Sequence, residues 1–114
     1  MSTVSTHVLD TSLGKPAAGV PVSLGIRELD GSWRMLDQGA TDADGRWRPS
    51  AANDFSLAPG TYRITFNPTA YFHTRNLESF YPFIDITFTI RNAAEHHHVP
   101  LLLSPYSYST YRGS

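Results

Sequence analysis

The sequence contains no cysteine, so neither disulfide staples nor thiolate metal ligands can hold this fold together, and the redox compartment is left open. It also lacks an excess of either charge. Nine Lys and Arg stand against ten Asp and Glu, a formal net charge of -1, and no basic stripe offers itself to a nucleic-acid backbone. Long apolar runs are missing: nothing approaches the roughly 20 residues needed to cross a bilayer, and the opening MSTVSTHVLD has no basic region followed by an apolar stretch. There is no Gly-rich phosphate loop and no βαβ spacing, which argues against a nucleotide-binding α/β fold. These absences lead us to expect a soluble, cytoplasmic chain that binds neither nucleic acid nor membrane. Its 114 residues suit one domain over 1–114.

What the sequence does have is period two. In 20-VPVSLGIRE-28 the residues Val20, Val22, Leu24 and Ile26 share one face, the mark of a half-buried strand. Asp30-Gly31 then supplies a hairpin turn ahead of Trp33 and Leu36. Tyr62, Ile64 and Phe66 alternate in 61-TYRITF-66, and Ile84, Ile86, Phe88 and Ile90 do so in 84-IDITFTI-90. The segment 4-VSTHVLD-10 reads as a first strand, 49–60 as a loop, and 70-AYFHTRNLESF-80 as the one helix, stopped ahead of Pro82. In 98-HVPLLLS-104 apolar residues occupy both parities, so a strand covered on both faces is expected, its pairing limited by Pro100. Finally 106-YSYSTYR-112 alternates again. Seven or eight short strands, one small helix and frequent turns give an all-β sandwich, with a small open barrel as the competing architecture.

Candidate chemistry rests on a few polar residues. His7 stands alone in the first strand, and His73 on the helix reads as a surface residue. In 95-EHHHVP-100, alternation sends His96 and His98 to one face and His97 to the other. A zinc site would have to draw on His96, His98 and a remote His7, with no thiolate to help. In 42-DADG-45 the two acids suit backbone hydrogen bonding in a turn and are too few for a calcium loop. An imidazole beside a guanidinium is enough for metal-free attack of water on a carbonyl. Arg46 and Arg48 bracket Trp47 and share a face, so either could be that guanidinium. Tyr106, Tyr108 and Tyr111, with the apolar 101-LLL-103, suit a subunit boundary in a homo-oligomer. A tail in such a boundary could line a pocket instead of fraying.

These pieces together resemble the transthyretin-like 5-hydroxyisourate hydrolases over essentially the whole length. The resemblance is carried by 5-STHVLD-10 with 14-GKPAAGVPV-22, 42-DADGR-46, 77-LESFYP-82 and 96-HHHVPLLLSPYSYSTYRGS-114. It implies a transthyretin-like β-sandwich of two four-stranded sheets with one short helix, assembled as a homotetramer with pockets between subunits. It also implies hydrolysis of 5-hydroxyisourate to 2-oxo-4-hydroxy-4-carboxy-5-ureidoimidazoline in urate degradation, with no cofactor and no metal. The family's catalytic positions fall on His7, Arg46 and His98, so the resemblance selects Arg46 over Arg48, and its end motif falls on Tyr111, Arg112, Gly113 and Ser114. Ser114 is expected to take part in catalysis, and Tyr111, Arg112 and Gly113 to bind substrate. Three positions depart from the pattern: His97 where a tyrosine is frequent, Phe83 where an acid is usual, and Ser107 where glycine is common. The alternative within this fold is a non-catalytic carrier of small aromatic ligands, which would have no need of the reactive set His7, Arg46 and His98.

Overall fold

The computed structural model describes residues 3–50 and 57–114. The middle of the expected loop over 49–60 lies outside the described residues. Among the described residues ten strands and one helix follow in order: β1 Thr3–Asp10, β2 Lys15–Pro16, β3 Pro21–Arg27, β4 Trp33–Ala40, β5 Arg46–Trp47, β6 Gly60–Phe66, α1 Pro68–His73, β7 Ile84–Ile90, β8 His96–His98, β9 Leu101–Leu103 and β10 Tyr108–Thr110. They form two sheets.

One sheet has four antiparallel strands in the order β4-β3-β6-β7. Its alternation places Val22, Leu24, Tyr62, Ile64 and Phe66 in the core, each 3% exposed or less. The β3–β4 pairing slips by one residue at Leu24/Gly25, a bulge of the kind that bends an edge. On β7 the parity is as the sequence predicts, but only Ile84 and Ile90 are fully buried; Ile86 and Phe88 are half-exposed because β7 is the outer strand.

The other sheet departs from the expected four strands. It contains six, because short segments pair along both sides of the eight-residue β1. On one side β8 and then β9 run parallel to β1, and on the other β5 and β2 run antiparallel. Pro100 explains the first division: it has no N–H to continue a ladder, so the expected strand over 98–104 splits at Val99–Pro100. The break is closed by the Val99 N–H donating to the Ser5 carbonyl at 2.9 Å and the Thr6 hydroxyl donating to the Val99 carbonyl at 2.6 Å. Leu101 and Leu103 are buried while Leu102 is half-buried, so the double coverage is partial. β10 adds to β9 and forms the other outer edge.

The helix begins and ends earlier than the sequence predicts. Asn67 accepts the Ala70 N–H at 3.1 Å and Pro68 opens the first turn, where the missing N–H costs nothing. Asn76 then takes a left-handed conformation at φ 58°, ending helical geometry well before Phe80. α1 is tied to the end of β1 by the buried Asp10 carboxylate, which accepts from Tyr71 at 2.8 Å and from Arg75 at 2.6 Å. Burial alone would raise the Asp10 pKa; hydrogen bonds from Ser12, Tyr71 and the Leu13 N–H outweigh it and hold it below 3.8.

Candidate active site

β1 is the organising strand. Its inward residues Val4, Thr6 and Val8 are buried, which turns Thr3, Ser5 and His7 outward. Parallel pairing sets Thr3 beside His96 and Ser5 beside His98, while antiparallel pairing sets His7 opposite Arg46. Residues distant in sequence therefore meet on the outer face of one sheet. His96 and His98 stack with ring centroids 6.3 Å apart, and His97 turns inward, 5% exposed, beside Val4. Its Nδ1 has no hydrogen-bond partner among the described residues. His73 is exposed on α1.

The turn over 42–45 both aims Arg46 and restrains His7. The Asp42 carboxylate accepts the N–H groups of Asp44 and Arg46, each at 2.9 Å, the backbone role read from the sequence. Those contacts, the Arg46 N–H first, keep its pKa below 3.8. Gly45 has φ 76°, and a Cβ there would lie 2.4 Å from the Val8 carbonyl oxygen, so no other residue fits without moving β1. The Asp44 carbonyl faces His7 Nε2 at 2.9 Å. A carbonyl can only accept, so His7 carries a proton on Nε2 and leaves Nδ1 open when neutral.

His98 is held differently. Its Nδ1 is 2.8 Å from the Ser5 hydroxyl, and its backbone carbonyl accepts the Gly113 N–H at 2.8 Å. A Cβ on Gly113 would sit 2.5 Å from the imidazole ring; the bare backbone is what lets the tail lie against His98. Desolvation, then the neighbouring His96, Arg46 and His7, push the His98 pKa below 6.5. The ring is therefore neutral at physiological pH and able to accept a proton.

The expected residues do not all share one cavity of the chain. Arg46, Arg48, Ser5, Asp42 and His96 line an open recess of about 510 Å³. Tyr111 and Arg112, with His97 and His98, line a separate one of about 250 Å³ between the outer edges of β7 and β10. Arg112 pairs with Glu95 at 2.7 Å, and Ser114 is exposed one residue beyond the Gly113–His98 bridge. Of the departures, Ser107 closes a turn, its hydroxyl 2.8 Å from that of Ser104, and Phe83 is 60% exposed and lines a recess with Met35 that contains no histidine. Ser5 and Thr3 were not singled out from sequence. The signal was their parity with His7, which becomes informative only with the parallel register of β1 and β8.

The whole chain has known relatives. The model of the HIUase/Transthyretin family matches residues 4–113. A 5-hydroxyisourate hydrolase of Salmonella dublin is 48% identical over 115 residues, covering 97% of this chain and 80% of that protein. The solved 5-hydroxyisourate hydrolase of Klebsiella pneumoniae superposes with a TM-score of 0.83 at 39% identity, covering 98% of this chain and 99% of its own. Transthyretin from Sparus aurata superposes with a TM-score of 0.86 at 27% identity, covering 96% of this chain and 95% of its own.

Proposed function

The chain belongs to the HIUase/Transthyretin family, and from that premise we propose that it hydrolyses 5-hydroxyisourate to 2-oxo-4-hydroxy-4-carboxy-5-ureidoimidazoline. The single observation that carries the reading is the convergence of His7, Arg46 and His98 on the outer face around β1. A carrier shares the fold but has no use for a neutral imidazole beside a guanidinium.

In this reading His98 takes a proton from the attacking water, since its depressed pKa keeps it neutral. Arg46 holds the carbonyl oxygen as charge builds there, a task suited to a fixed, multidentate cation. His7, donating from Nε2 to Asp44, presents Nδ1 to orient water or substrate. Hydroxide adds to the ring carbonyl carbon, the C–N bond breaks, and the leaving nitrogen receives the proton that His98 took. Tyr111, Arg112, Gly113 and Ser114 complete the substrate pocket in a homotetramer, for which the open recess around Arg46 and the exposed Tyr106 and Tyr111 are the support. No metal takes part, the polarising charge being that of Arg46.

The test is the absorbance decay of freshly generated 5-hydroxyisourate, corrected for its spontaneous breakdown. His98→Asn is expected to lower kcat by about 10²–10⁴ while sedimentation still reports a tetramer. Full activity in that variant, or no acceleration by the wild-type protein, overturns the reading. Chelator-treated protein is expected to keep its rate.

A further inference from the structure

The hydroxyl that touches His98 also touches a second imidazole. Ser5 Oγ lies 2.8 Å from His98 Nδ1 and 2.8 Å from His96 Nε2, and His96 Nδ1 is bonded to the Thr3 hydroxyl. Four groups thus form one chain running from the exposed rim of the sheet to the half-buried His98.

The proton count of that chain restricts it. A hydroxyl has one proton to give, so Ser5 donates to one ring and accepts from the other. In one order His98 Nδ1–H donates to Ser5, Ser5 donates to His96 Nε2, His96 Nδ1–H donates to Thr3, and His98 Nε2 keeps a free lone pair. In the reverse order Thr3 donates to His96 Nδ1, His96 Nε2–H donates to Ser5, Ser5 donates to His98 Nδ1, and His98 Nε2 carries the proton. Both orders satisfy every bond, but only the first leaves a base at Nε2. The choice depends on His96. Once protonated, His96 donates from both nitrogens, Ser5 must turn its proton toward His98, and the neutral His98 becomes a donor at Nε2. His7 has no such freedom, since its partner is a carbonyl.

We propose that Ser5 and His96 are positioning residues which determine, through the single proton of the Ser5 hydroxyl, whether His98 Nε2 is a proton acceptor or a proton donor. Protonation of the exposed His96 switches the base off without protonating His98 itself. The other groups facing His98 do not compete for this bond. Arg46 and His7 act on the ring by charge, Arg112 is engaged by Glu95, and the tail meets His98 through the backbone of Gly113. The kinetic consequence rests on the hydrolase reading above, whereas the tautomer exchange does not.

The test is nitrogen NMR of histidine-labelled, intact protein across a pH titration, joined to pH–rate profiles of Ser5→Ala, Ser5→Thr and His96→Gln. In the wild type, the proton of neutral His98 is expected to sit on Nε2 whenever His96 carries both of its protons, and to be able to return to Nδ1 when His96 gives one up. Ser5→Ala should abolish that exchange and lower kcat at least about tenfold, since losing the partner that fixes a catalytic imidazole's tautomer is costly, with KM little changed. Ser5→Thr should restore both. His96→Gln, which can accept from Ser5 but cannot gain a proton, should end the exchange and leave the acid limb of the profile to His98 alone, changing its shape. A His98 tautomer that stays fixed through the wild-type titration, or Ser5→Ala and His96→Gln profiles that superpose on the wild type, overturns the proposal. An inactive wild type that still shows the exchange refutes the hydrolase reading and leaves this inference standing.

Discussion

The two sheets solve opposite problems. In the four-stranded sheet, β6 pairs over seven residues with β7 and five with β3, and the side chains it sends inward are large and apolar. The β1-centred sheet is assembled from pieces two or three residues long, apart from β1 itself. Short pieces make few ladder bonds, but each brings its own connecting turn, and those turns deliver Arg46, His96, His98 and the tail to one strand. A continuous partner strand would fill the edges of β1 and leave no place for polar groups from several loops to converge. The long ladders thus lie in the regular sheet, and the interrupted one gathers the polar residues to which the proposed reaction is assigned.

Phe66→Ala is the sharpest test of that division, because Phe66 is fully buried at the end of β6. We expect a loss of about 3–5 kcal/mol in denaturant unfolding with kcat per folded molecule unchanged. A proportional fall in kcat would show the sheets to be coupled. Gly45→Ala probes the other side. The strained φ and the backbone clash with Val8 should cost about 1–3 kcal/mol, and because the same turn holds Arg46 and His7, kcat should fall as well. A variant of ordinary activity would remove the turn from any role in placing the guanidinium.

The regular sheet was legible from sequence because its period-two pattern and its single buried face are local properties. Tyr62, Ile64 and Phe66 carry their burial in their spacing alone. The interrupted sheet was legible only in fragments. Alternation correctly separated His97 from His96 and His98, but no local pattern states that β8 lies parallel to β1, and without that register Ser5 is one serine among many. The helix was displaced because Pro82 reads as its stop in the sequence, whereas Asn67 and Pro68, whose capping chemistry sets its start, and the left-handed Asn76 bound it earlier. The meeting of tail and His98 came from resemblance, not from periodicity, and what permits it is the missing side chain of Gly113.

The smallest effect concerns acid, and it separates the two ends of β1 within the interrupted sheet. His98 has a folded-state pKa below the ordinary 6.5, chiefly through desolvation. On acidification the unfolded chain binds this proton first, so stability is fully present above pH 6.5 and falls as the pH drops from there through the folded value, then levels off. Asp10 behaves alike in a lower window: its stabilisation is present above 3.8 and is lost as the pH falls through its own depressed value. Urea unfolding at intervals between pH 8 and pH 3 should therefore show two declines, one beginning near 6.5 and one near 3.8. His98→Asn should reduce the upper decline and leave the lower one in place, since Asp10 and its partners Tyr71 and Arg75 lie at the far end of β1. An upper decline of unaltered size in that variant would assign it to another group and remove the imidazole's desolvation as its cause.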